Sequence, residues 1–518
     1  MKKLFLLTII IFSLISLTSA QKNTNKKPNI LFCIADDAAL AHMSAYGLTD
    51  WVNTPGFDRV AKQGLLFLNA YTPNAKCSPS RACILTGRNP WQLEEAANHN
   101  SYFPAKFTTV IEALLNNGYA TGFTGKGWGP GEPGEVNGKK RELTGKAYNQ
   151  IKMATPTKAI SPINYTANFE AFLNEKEADK PFCFWYGGHE PHRPYNAGSG
   201  VSKGQKKLSD IDKVPDFWVD NEAVRNDMLD YAYEVEYFDR HLQNIIEVLE
   251  KKGELENTII IVTSDNGMPF PRVKGHVYEY ANHLPFAVMW KGHIQNEGRK
   301  IQDYISFIDI APTLLELAGI TPNKSNMQKI EGRSFVDILN SKNKILIDAK
   351  RDHVLLGRER TDVGRPHDEG YPVRGIVKNN FIYTKNYEPD RWPSSNPETG
   401  YMDTDNGPTK SAILNAYKNG EHTDLYQLAF AKRGADELYH ITTDTFCIKN
   451  IAGDKTFSAL LQQMKKQMEQ ELTKQNDPRM LGRGDVFDNY PYAKPEMRNY
   501  YERVMKGGIK KGIAAERD

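Results

Sequence analysis

The stretch Asn29-Ile-Leu-Phe-Cys-Ile-Ala35 is a continuous apolar run, and Asp36 and Asp37 follow it at once. A run of this kind is typical of a parallel strand that is buried on both faces and whose carboxyl end opens into a site. Two further runs, Phe182-Cys-Phe-Trp-Tyr186 and Thr258-Ile-Ile-Ile-Val-Thr263, also lead directly into polar loops. Three such strands with ionisable loops at their ends predict one sheet with one functional edge.

Helical periodicity alternates with these strands. The clearest apolar stripe, at three- and four-residue spacing, covers residues 228–249, and a shorter one covers residues 308–317. The alternation predicts an α/β domain over residues 28–378, with a large sheet flanked by helices. The following residues contain short strand-like runs and one amphipathic stripe over residues 457–472. We therefore expect a smaller C-terminal α+β domain over residues 379–518, ending in a mobile surface tail.

Size and composition restrict the class of protein. The chain has 518 residues, with 66 lysines and arginines against 63 aspartates and glutamates, and a formal net charge of +3. A chain of this length with 40% hydrophobic residues buries a large core, which excludes a disordered or fibrous protein. The near balance of charge argues against nucleic-acid binding. Any anionic ligand must therefore meet a local cluster of positive charge.

The first 20 residues have the pattern of a secretory signal peptide. Two lysines precede an uncharged apolar run over residues 4–17, and Thr18-Ser-Ala20 supplies small residues at which a signal peptidase cuts. We expect the mature protein to begin near Gln21 with a polar linker over residues 21–27, and to be exported to the periplasm or secreted. The run is too short for a membrane span, and no later run of about 18 apolar residues occurs. The alternative is a buried N-terminal helix.

Five cysteines are too few and too irregularly spaced for a disulfide framework. We interpret four of them as buried structural residues: Cys33, Cys83, Cys183 and Cys447. The fifth, Cys77, lies in a segment with a different character.

The segment Cys77-Ser-Pro-Ser-Arg-Ala-Cys-Ile-Leu-Thr-Gly87 matches the C-x-P-S-R-x-x-x-L-T-G signature of type I sulfatases. The chain resembles that family over nearly its whole predicted mature length. The resemblance implies that a formylglycine-generating or sulfatase-maturating enzyme oxidises Cys77 to formylglycine (3-oxoalanine). One hydroxyl of the hydrated aldehyde attacks sulfur, and the other lets the aldehyde re-form and expel sulfate, which a serine alcohol cannot do. Pro79 suits the first turn of a helix, so Cys77 is expected near a helix N-terminus, where anionic groups are favoured.

The same resemblance implies the alkaline-phosphatase-like sulfatase fold, a large mixed sheet flanked by helices with a smaller C-terminal domain. It also implies a divalent cation bound by Asp36, Asp37, Asp265 and Asn266 together with the modified Cys77. The four side chains offer oxygen, which suits a hard cation, and we expect Ca²⁺ rather than Mg²⁺. The alternative interpretation is that an aspartate or asparagine after a strand only caps a helix or forms a turn.

Four basic residues match sulfatase active-site positions. Lys126 matches the lysine of the G-K-x-H segment, Lys274 follows the S-D-N-G motif, and His192 lies in a Pro-His-Arg segment. The resemblance implies that Lys126 and Lys274 neutralise sulfate oxygens and that His192 donates a proton or hydrogen bond to the leaving atom. Arg81 is expected to hold the modified side chain and its anion. Outside the resemblance, single lysines are usually solvated.

Trp128 is the main departure from the family, which has a histidine two residues after the lysine. We interpret Trp128 either as a residue that stacks on a sugar ring or as the result of a local realignment around the neighbouring glycines. His189 and Arg193 are further candidates for substrate contact. A basic segment is expected either to line the substrate cleft or to form a solvated surface. It consists of Arg358, Arg360, Arg365, His367 and Arg374.

Residues 264–271 together with residues 190–193 look most like the heparan N-sulfatase (N-sulfoglucosamine sulfohydrolase) branch, whose bacterial relatives also act on algal polysaccharides such as ulvan and carrageenan. Because Trp128 and the basic segment depart from that branch, we expect an O-sulfated polysaccharide or oligosaccharide substrate, with N-sulfoglucosamine as the alternative. Two more distant alternatives are a phosphatase or phosphonate hydrolase of the same superfamily, and a non-catalytic protein that binds sulfated glycans.

Overall fold

The structure is a computed structural model that describes residues 26–343 and 345–509. The predicted signal peptide, residues 21–25 of the predicted linker and residues 510–518 of the tail lie outside these ranges.

A large mixed sheet of eight strands forms the centre of the protein. One strand, β11, runs antiparallel to both its neighbours, and the other neighbouring pairs are parallel. In spatial order the strands are β12 (Arg299–Ser306), β2 (Leu65–Tyr71), β11 (Phe286–Met289), β10 (Thr258–Ser264), β1 (Asn29–Ala35), β9 (Phe182–Gly187), β4 (Ala120–Gly125) and β8 (Lys146–Ala147). The predicted large mixed sheet is confirmed.

A second sheet is antiparallel and has four strands in sequence order. They are β13 (His353–Arg358), β14 (Val373–Lys378), β15 (Phe381–Asn386) and β16 (Asp436–His440). This sheet therefore begins ahead of the predicted domain boundary at residue 378, which falls between two of its strands. Two short pairs complete the strands: β3 (Ser101–Tyr102) with β5 (Gly131–Glu132), and β6 (Glu135–Val136) with β7 (Lys139–Lys140).

Helices cover both faces of the large sheet and one side of the small sheet. They are α1 (Pro55–Lys62), α2 (Cys77–Thr86), α3 (Val110–Asn116), α4 (Tyr165–Glu175), α5 (Ser199–Ser202), α6 (Glu222–Lys251), α7 (Glu279–Asn282), α8 (Ile310–Leu317), α9 (Pro322–Ser325), α10 (Val336–Asn340), α11 (Pro408–Lys418), α12 (Thr423–Ala429), α13 (Ser458–Lys474), α14 (Val486–Asn489) and α15 (Tyr500–Met505). The described part of the chain contains no helix with both the length and the apolar composition that a membrane span requires.

Strand β1 shows why the large sheet is buried on both faces. Alternate side chains point to opposite faces of a strand. Leu31, Cys33 and Ala35 accordingly pack into the core on the face covered by α6, whereas Ile30 and Phe32 pack into the core on the face covered by α2 and α8. An apolar run without alternation is therefore the sequence of a strand between two cores. All five cysteines are buried and unpaired, as expected for the four structural ones.

The carboxyl ends of three parallel strands meet at one edge. Strand β1 lies between β10 and β9, with Ala35 opposite Ser264 and Ile34 opposite Gly187. The loops that follow these strands therefore start side by side, which confirms that the three predicted strands share one edge of one sheet.

Candidate active site

Four potential ligand atoms meet at this edge. Asp36 and Asp37 follow β1, Asp265 follows β10, and Cys77 is the first residue of α2. One ligand atom from each of these four residues lies within 4.8 Å of the others. All four side chains are almost fully buried. The structure thus brings together two strand ends and one helix N-terminus.

The oxygen atoms of this cluster fit a divalent cation. Asn266 is fully buried; its Nδ2 donates to Asp37 Oδ1 at 2.7 Å, while its Oδ1 accepts no hydrogen bond from any described residue. Burial raises the pKa of Asp265 to about 7 and that of Asp37 to about 6, although neighbouring cations oppose the rise. Buried carboxylates this close together repel each other, and a hard cation relieves the repulsion.

Asp37 has a strained backbone, which is a second mark of a functional position. Its φ of 78° lies in the left-handed region that side chains other than glycine rarely adopt. Strain of this kind costs roughly 1–3 kcal/mol and persists only where surrounding contacts enforce it. Here the backbone N–H of Asp37 donates to Asp265 Oδ1 at 3.1 Å, and the next N–H donates to Ser264 Oγ at 2.7 Å.

Helix α2 places Cys77 at its N-terminus, as predicted from Pro79. The helix begins at Cys77, and the N–H of Ser80 donates to the carbonyl of Lys76 at 3.0 Å. It ends at Thr86, where Gly87 takes the left-handed conformation at φ 65°. Cys77 is 1% exposed, and its sulfur lies 3.9 Å from Asp37 Oδ1. Burial raises the pKa of its thiol above the usual value.

Arg81 ties the cluster to the strand beside it. Its Nε donates to Asp265 Oδ2 at 2.8 Å, and its Nη1 donates to the carbonyls of Lys126 and Gly127 at 3.0 and 2.9 Å. These contacts hold a carboxylate and the loop after β4. Arg81 therefore positions groups around Cys77, and its hold on the modified side chain stays a prediction.

Lys126 reaches the cluster from the end of β4. Its Nζ donates to Asp36 Oδ2 at 2.8 Å, and its backbone N–H donates to the carbonyl of Gly187 at 2.7 Å. Gly125 makes this turn possible: its φ is 78°, and a Cβ there would lie 1.9 Å from the oxygen of Gly187. Burial opposes the charge on Lys126, but Asp36 raises the pKa of this amine above its usual value.

Lys274 and His192 approach Asp37 from the other side. Lys274 Nζ lies 2.7 Å from Asp37 Oδ2 and 3.4 Å from Asp405 Oδ2. His192 Nε2 lies 3.9 Å from the same Asp37 oxygen, and its Nδ1 lies 2.6 Å from the carbonyl of Arg193. Because a carbonyl only accepts, Nδ1 carries the ring proton and Nε2 is the acceptor in the neutral ring. Burial, helped by Lys274, lowers the pKa of His192 to about 3.

A cavity of about 360 Å³ opens beside Cys77 and is the space available to a substrate. Seven residues predicted from the sequence line it: Asp36, Cys77, Lys126, His189, His192, Arg193 and Lys274. The guanidinium of Arg193 is committed to a two-pronged ion pair with Asp227, at 2.7 Å for each contact, and its Nε donates to the carbonyl of Pro269. Arg193 therefore supports the cavity wall through groups that are already paired.

Trp128 and His367 do not line this cavity. The indole Nε1 of Trp128 donates to the carbonyl of Ser78 at 3.0 Å, and its ring packs edge-to-face against Phe103. Trp128 thus supports the start of α2 and lines a neighbouring cavity. The side chain of His367 is 81% exposed and lies 3.7 Å from Glu502. The structure does not bring His367 to the site.

The predicted basic cleft wall is wrong for the four arginines of the segment. They are buried in the smaller domain, at 1–3% exposure: Arg358, Arg360, Arg365 and Arg374. Arg358 and Arg365 both pair with Asp403, and Arg374 pairs with Asp477. The carboxylates that pair with these arginines are distant in the sequence. The segment therefore has the sequence pattern of an exposed basic run, although its arginines form a buried ionic network.

We expect Arg374→Met to lower the free energy of unfolding by about 3–5 kcal/mol, because it leaves the buried carboxylate of Asp477 without its cation, whereas Glu359 keeps Arg479. Arg374 Nε donates to Asp477 at 2.7 Å, and its Nη2 donates to Glu359 at 2.7 Å. Urea denaturation followed by circular dichroism measures the change. Arg59→Met is the matched control, since Arg59 pairs with the exposed Glu250 and its loss should cost below about 1 kcal/mol. Equal stability of the two variants would contradict a buried network.

Several residues of the cavity wall were not predicted from the sequence. They are Lys76, His99, Asn100, Asp362, Asp405 and Tyr492, among others. His99 is 8% exposed, and within the described chain neither ring nitrogen has a hydrogen-bond partner. The loop that carries Asp405 is fixed by Lys410, whose amine donates to the carbonyls of Tyr401 and Thr404 and to Asn406 Oδ1 at 2.8–3.0 Å. None of these residues belongs to a sequence motif, and they come together only through the packing of segments from both domains.

The large mixed sheet, its flanking helices and the separate antiparallel sheet form an alkaline-phosphatase-like fold. The Sulfatase family model matches residues 28–320, more than half of the chain, and the chain belongs to this family. It is therefore a sulfuric ester hydrolase.

Two curated relatives and one solved structure illustrate the similarity. An ulvan-active sulfatase of Formosa agariphila is 25% identical over 509 residues, which cover 89% of this chain and 78% of the relative. Human N-sulphoglucosamine sulphohydrolase is 26% identical over 484 residues, which cover 87% of this chain and 91% of the relative. A structure solved in complex with its substrate D-glucosamine-2-N,6-O-disulfate has a TM-score of 0.61 at 21% identity and covers 87% of this chain and 99% of its own.

Proposed function

We propose that this protein removes sulfate groups from a sulfated polysaccharide or its oligosaccharides outside the cytoplasm. The observation that carries the proposal is the position of Cys77. It lies at the N-terminus of α2, inside a buried carboxylate cluster, and in a cavity that Lys126 and Lys274 also line. The sulfatase signature around it supports its oxidation to formylglycine by a separate maturation enzyme. Export is supported by the signal-peptide pattern of residues 1–20.

Asp36, Asp37, Asp265 and Asn266 would hold the cation. We favour Ca²⁺, because every side-chain donor besides position 77 is an oxygen and the site has no histidine nitrogen among its candidate ligands within the described residues. A bound cation offsets the negative charge of the sulfate and of the nucleophile. Mg²⁺ is the second choice.

The reaction follows from the two hydroxyls of the hydrated side chain at position 77. One hydroxyl oxygen attacks sulfur, the bond between sulfur and the sugar oxygen breaks, and the sugar leaves as an alcohol with a proton. The second hydroxyl then loses its proton, its carbon–oxygen bond becomes a carbonyl, and the bond to the sulfated oxygen breaks to release sulfate. Water adds to the aldehyde and restores the hydrate.

Two lysines and His192 would support these steps. Lys126 pairs with Asp36 and Lys274 pairs with Asp37; both lysines line the cavity and would bind sulfate oxygens. His192 faces the cavity with Nε2, which accepts a proton in the neutral ring and donates one only as imidazolium. The negative charge of a bound sulfate ester favours imidazolium. His192 would therefore be the donor to the leaving oxygen.

For the substrate we favour an O-sulfated algal polysaccharide fragment, such as one from ulvan or carrageenan, over heparan N-sulfate. The similarity to the ulvan-active sulfatase spans 89% of this chain and supports this preference. The arginines of the basic segment give no support to this preference for an O-sulfated substrate, because they are buried away from the cavity. N-sulfoglucosamine is the alternative substrate, because human N-sulphoglucosamine sulphohydrolase is 26% identical to this chain.

A panel of sulfated substrates tests the proposal. We expect the matured protein to release sulfate from oligosaccharides of ulvan or carrageenan, measured by ion chromatography together with the sulfation left on the product. Release from N-sulfoglucosamine alone would move the protein to the N-sulfatase alternative. Release of phosphate from phosphate or phosphonate esters without any release of sulfate would contradict the proposal. Tight binding of sulfated oligosaccharides without turnover would favour a non-catalytic binding protein.

A further inference from the structure

A second cavity adjoins the first and has a volume of about 300 Å³. Both cavities lie within or near the roughly 300–1,000 Å³ typical of small-molecule sites. The two share four lining residues: Asn100, Lys126, Pro130 and His189. The C-terminal segment also runs from one to the other, since Tyr492 lines the first cavity and Ala493 and Lys494 line the second. They are therefore two lobes of one cleft, which we call the sulfate lobe and the outer lobe.

The walls of the outer lobe are tied to the helix that carries Cys77. Trp128 donates its indole N–H to the carbonyl of Ser78, and the N–H of Asn100 donates to Ser78 Oγ at 3.3 Å. On the opposite wall, the N–H of Ala493 donates to the carbonyl of Asn100 at 2.7 Å, and Asn100 Nδ2 donates to the hydroxyl of Tyr492 at 3.0 Å. The lobe is thus held at a fixed position relative to the nucleophile.

We propose that the outer lobe binds the sugar residue that is joined to the sulfated residue of the substrate. This inference rests on the proposed function, because it assumes a sulfated glycan in the sulfate lobe. A sugar chain whose sulfate reaches Cys77 must leave the sulfate lobe somewhere, and the outer lobe opens directly from it past Lys126 and His189. An indole at the wall suits the apolar face of a sugar ring. Lys494 suits an anionic substituent on that ring.

The proposal makes this protein an oligosaccharide sulfatase whose preference comes from a second subsite. Contacts in the outer lobe are absent for a sulfated monosaccharide and for an aryl sulfate. The value of kcat/KM should therefore rise from these two substrates to an oligosaccharide that ends in the same sulfated sugar. A side chain that fills the outer lobe should remove this rise in kcat/KM.

Gly129 offers a way to fill it. A Cβ at Gly129 would meet no atom within 4 Å, and its φ is outside the positive region that disfavours side chains. In Gly129→Phe the new ring would occupy the outer lobe, which Gly129 lines. Gly453→Phe is the matched control, because a Cβ there also meets no atom within 4 Å and the residue is exposed and lines neither lobe.

The test compares three substrates: sulfated ulvan oligosaccharides, the sulfated monosaccharide obtained from them, and 4-methylumbelliferyl sulfate. We expect Gly129→Phe to lower kcat/KM on the oligosaccharides by roughly 10- to 100-fold more than on the other two, as for the loss of one aromatic-lined contact site. Lys494→Ala should also lower kcat/KM on the oligosaccharides more than on the other two substrates. Gly453→Phe should leave all three values unchanged.

Two outcomes would overturn the outer lobe as a sugar site. One is an unchanged ratio of oligosaccharide to monosaccharide activity in both Gly129→Phe and Lys494→Ala. The other is a wild-type protein with no preference for the oligosaccharide over the monosaccharide. Failure of the proposed function gives a different result, since the wild-type protein would then release no sulfate from any of the three substrates.

Discussion

Cys77→Ala should abolish sulfate release, with a loss of roughly 10³-fold or more in kcat, as for removal of a nucleophile in other covalent hydrolases. The side chain at position 77 lies within 4.8 Å of the ligand atoms of three buried aspartates, and no other cysteine belongs to this group. Protein matured in a host with the formylglycine-generating enzyme is expected to yield a tryptic peptide of residues 77–81 that lacks sulfur. Mass spectrometry of this peptide and initial rates of sulfate release are the two measurements.

Cys77→Ser separates attack from release. Serine keeps one hydroxyl, so it can accept the sulfuryl group once, but it has no second hydroxyl with which to re-form an aldehyde and expel sulfate. Intact-protein mass spectrometry should therefore show a stable sulfated serine after a single turnover. Cys83→Ser is the matched control, because Cys83 is buried in the same helix but packs into the core. Full activity of protein whose residue 77 carries only an unmodified thiol would refute the mechanism.

Removing the cation is expected to lower kcat by at least about 10³-fold, because a metal ion at a reacting anion supplies several kcal/mol of transition-state stabilisation. Asp265→Ala should have the same effect without a chelator. Asp265 accepts from Arg81 at 2.8 Å and from the backbone of Asp37 at 3.1 Å, so its loss also loosens the strained turn. Isothermal titration of Ca²⁺ into chelator-treated protein, paired with sulfate-release rates, measures binding and activity together.

Asp303→Ala provides the comparison for this experiment. Asp303 is buried as Asp265 is, but it accepts from the backbone of Ile347 and Asp348 and does not line the cavity. It should keep wild-type Ca²⁺ affinity. Wild-type activity of Asp265→Ala after exhaustive chelation would refute the metal site, whereas full rescue by Mg²⁺ would change only the identity of the ion.

The strand ends were predictable because they depend on local sequence. A parallel strand between two cores needs an unbroken apolar run, as in Asn29–Ala35 and Thr258–Ser264, and its functional residues must come directly after it. The position of Cys77 also follows from nearby residues, since Pro79 marks the first helical turn. The shared sheet edge and the position of Cys77 at a helix N-terminus could therefore be inferred without knowing the rest of the fold.

The substrate-facing wall was not predictable because it depends on contacts between distant segments. The sequence around Arg374 is typical of a surface cation, but in the structure Arg374 pairs with Asp477, which lies 103 positions later. Asp405 and His99 reach the cavity from different domains, and neither lies in a motif. Trp128 was expected to stack on a sugar ring; a hydrogen bond to Ser78 holds it at the neighbouring lobe, and its stacking stays a prediction. Sequence patterns report periodicity and local turns, whereas such placements are set by tertiary packing.

Two separate parts of the chain build the cleft, and this division has a consequence for how its substrate preference could change. The family match ends at residue 320, and the chemical groups around Cys77 all precede that point. The loop of residues 401–406 and the segment of residues 492–494 come afterwards and are anchored by their own contacts, such as the amine of Lys410. These two segments make part of the cleft wall and supply none of the ligand atoms around Cys77, although the carboxylate of Asp405 lies 3.4 Å from Lys274 Nζ. Replacing these C-terminal segments by those of a homologue is accordingly expected to change the cleft wall while the ligand atoms around Cys77 stay in place.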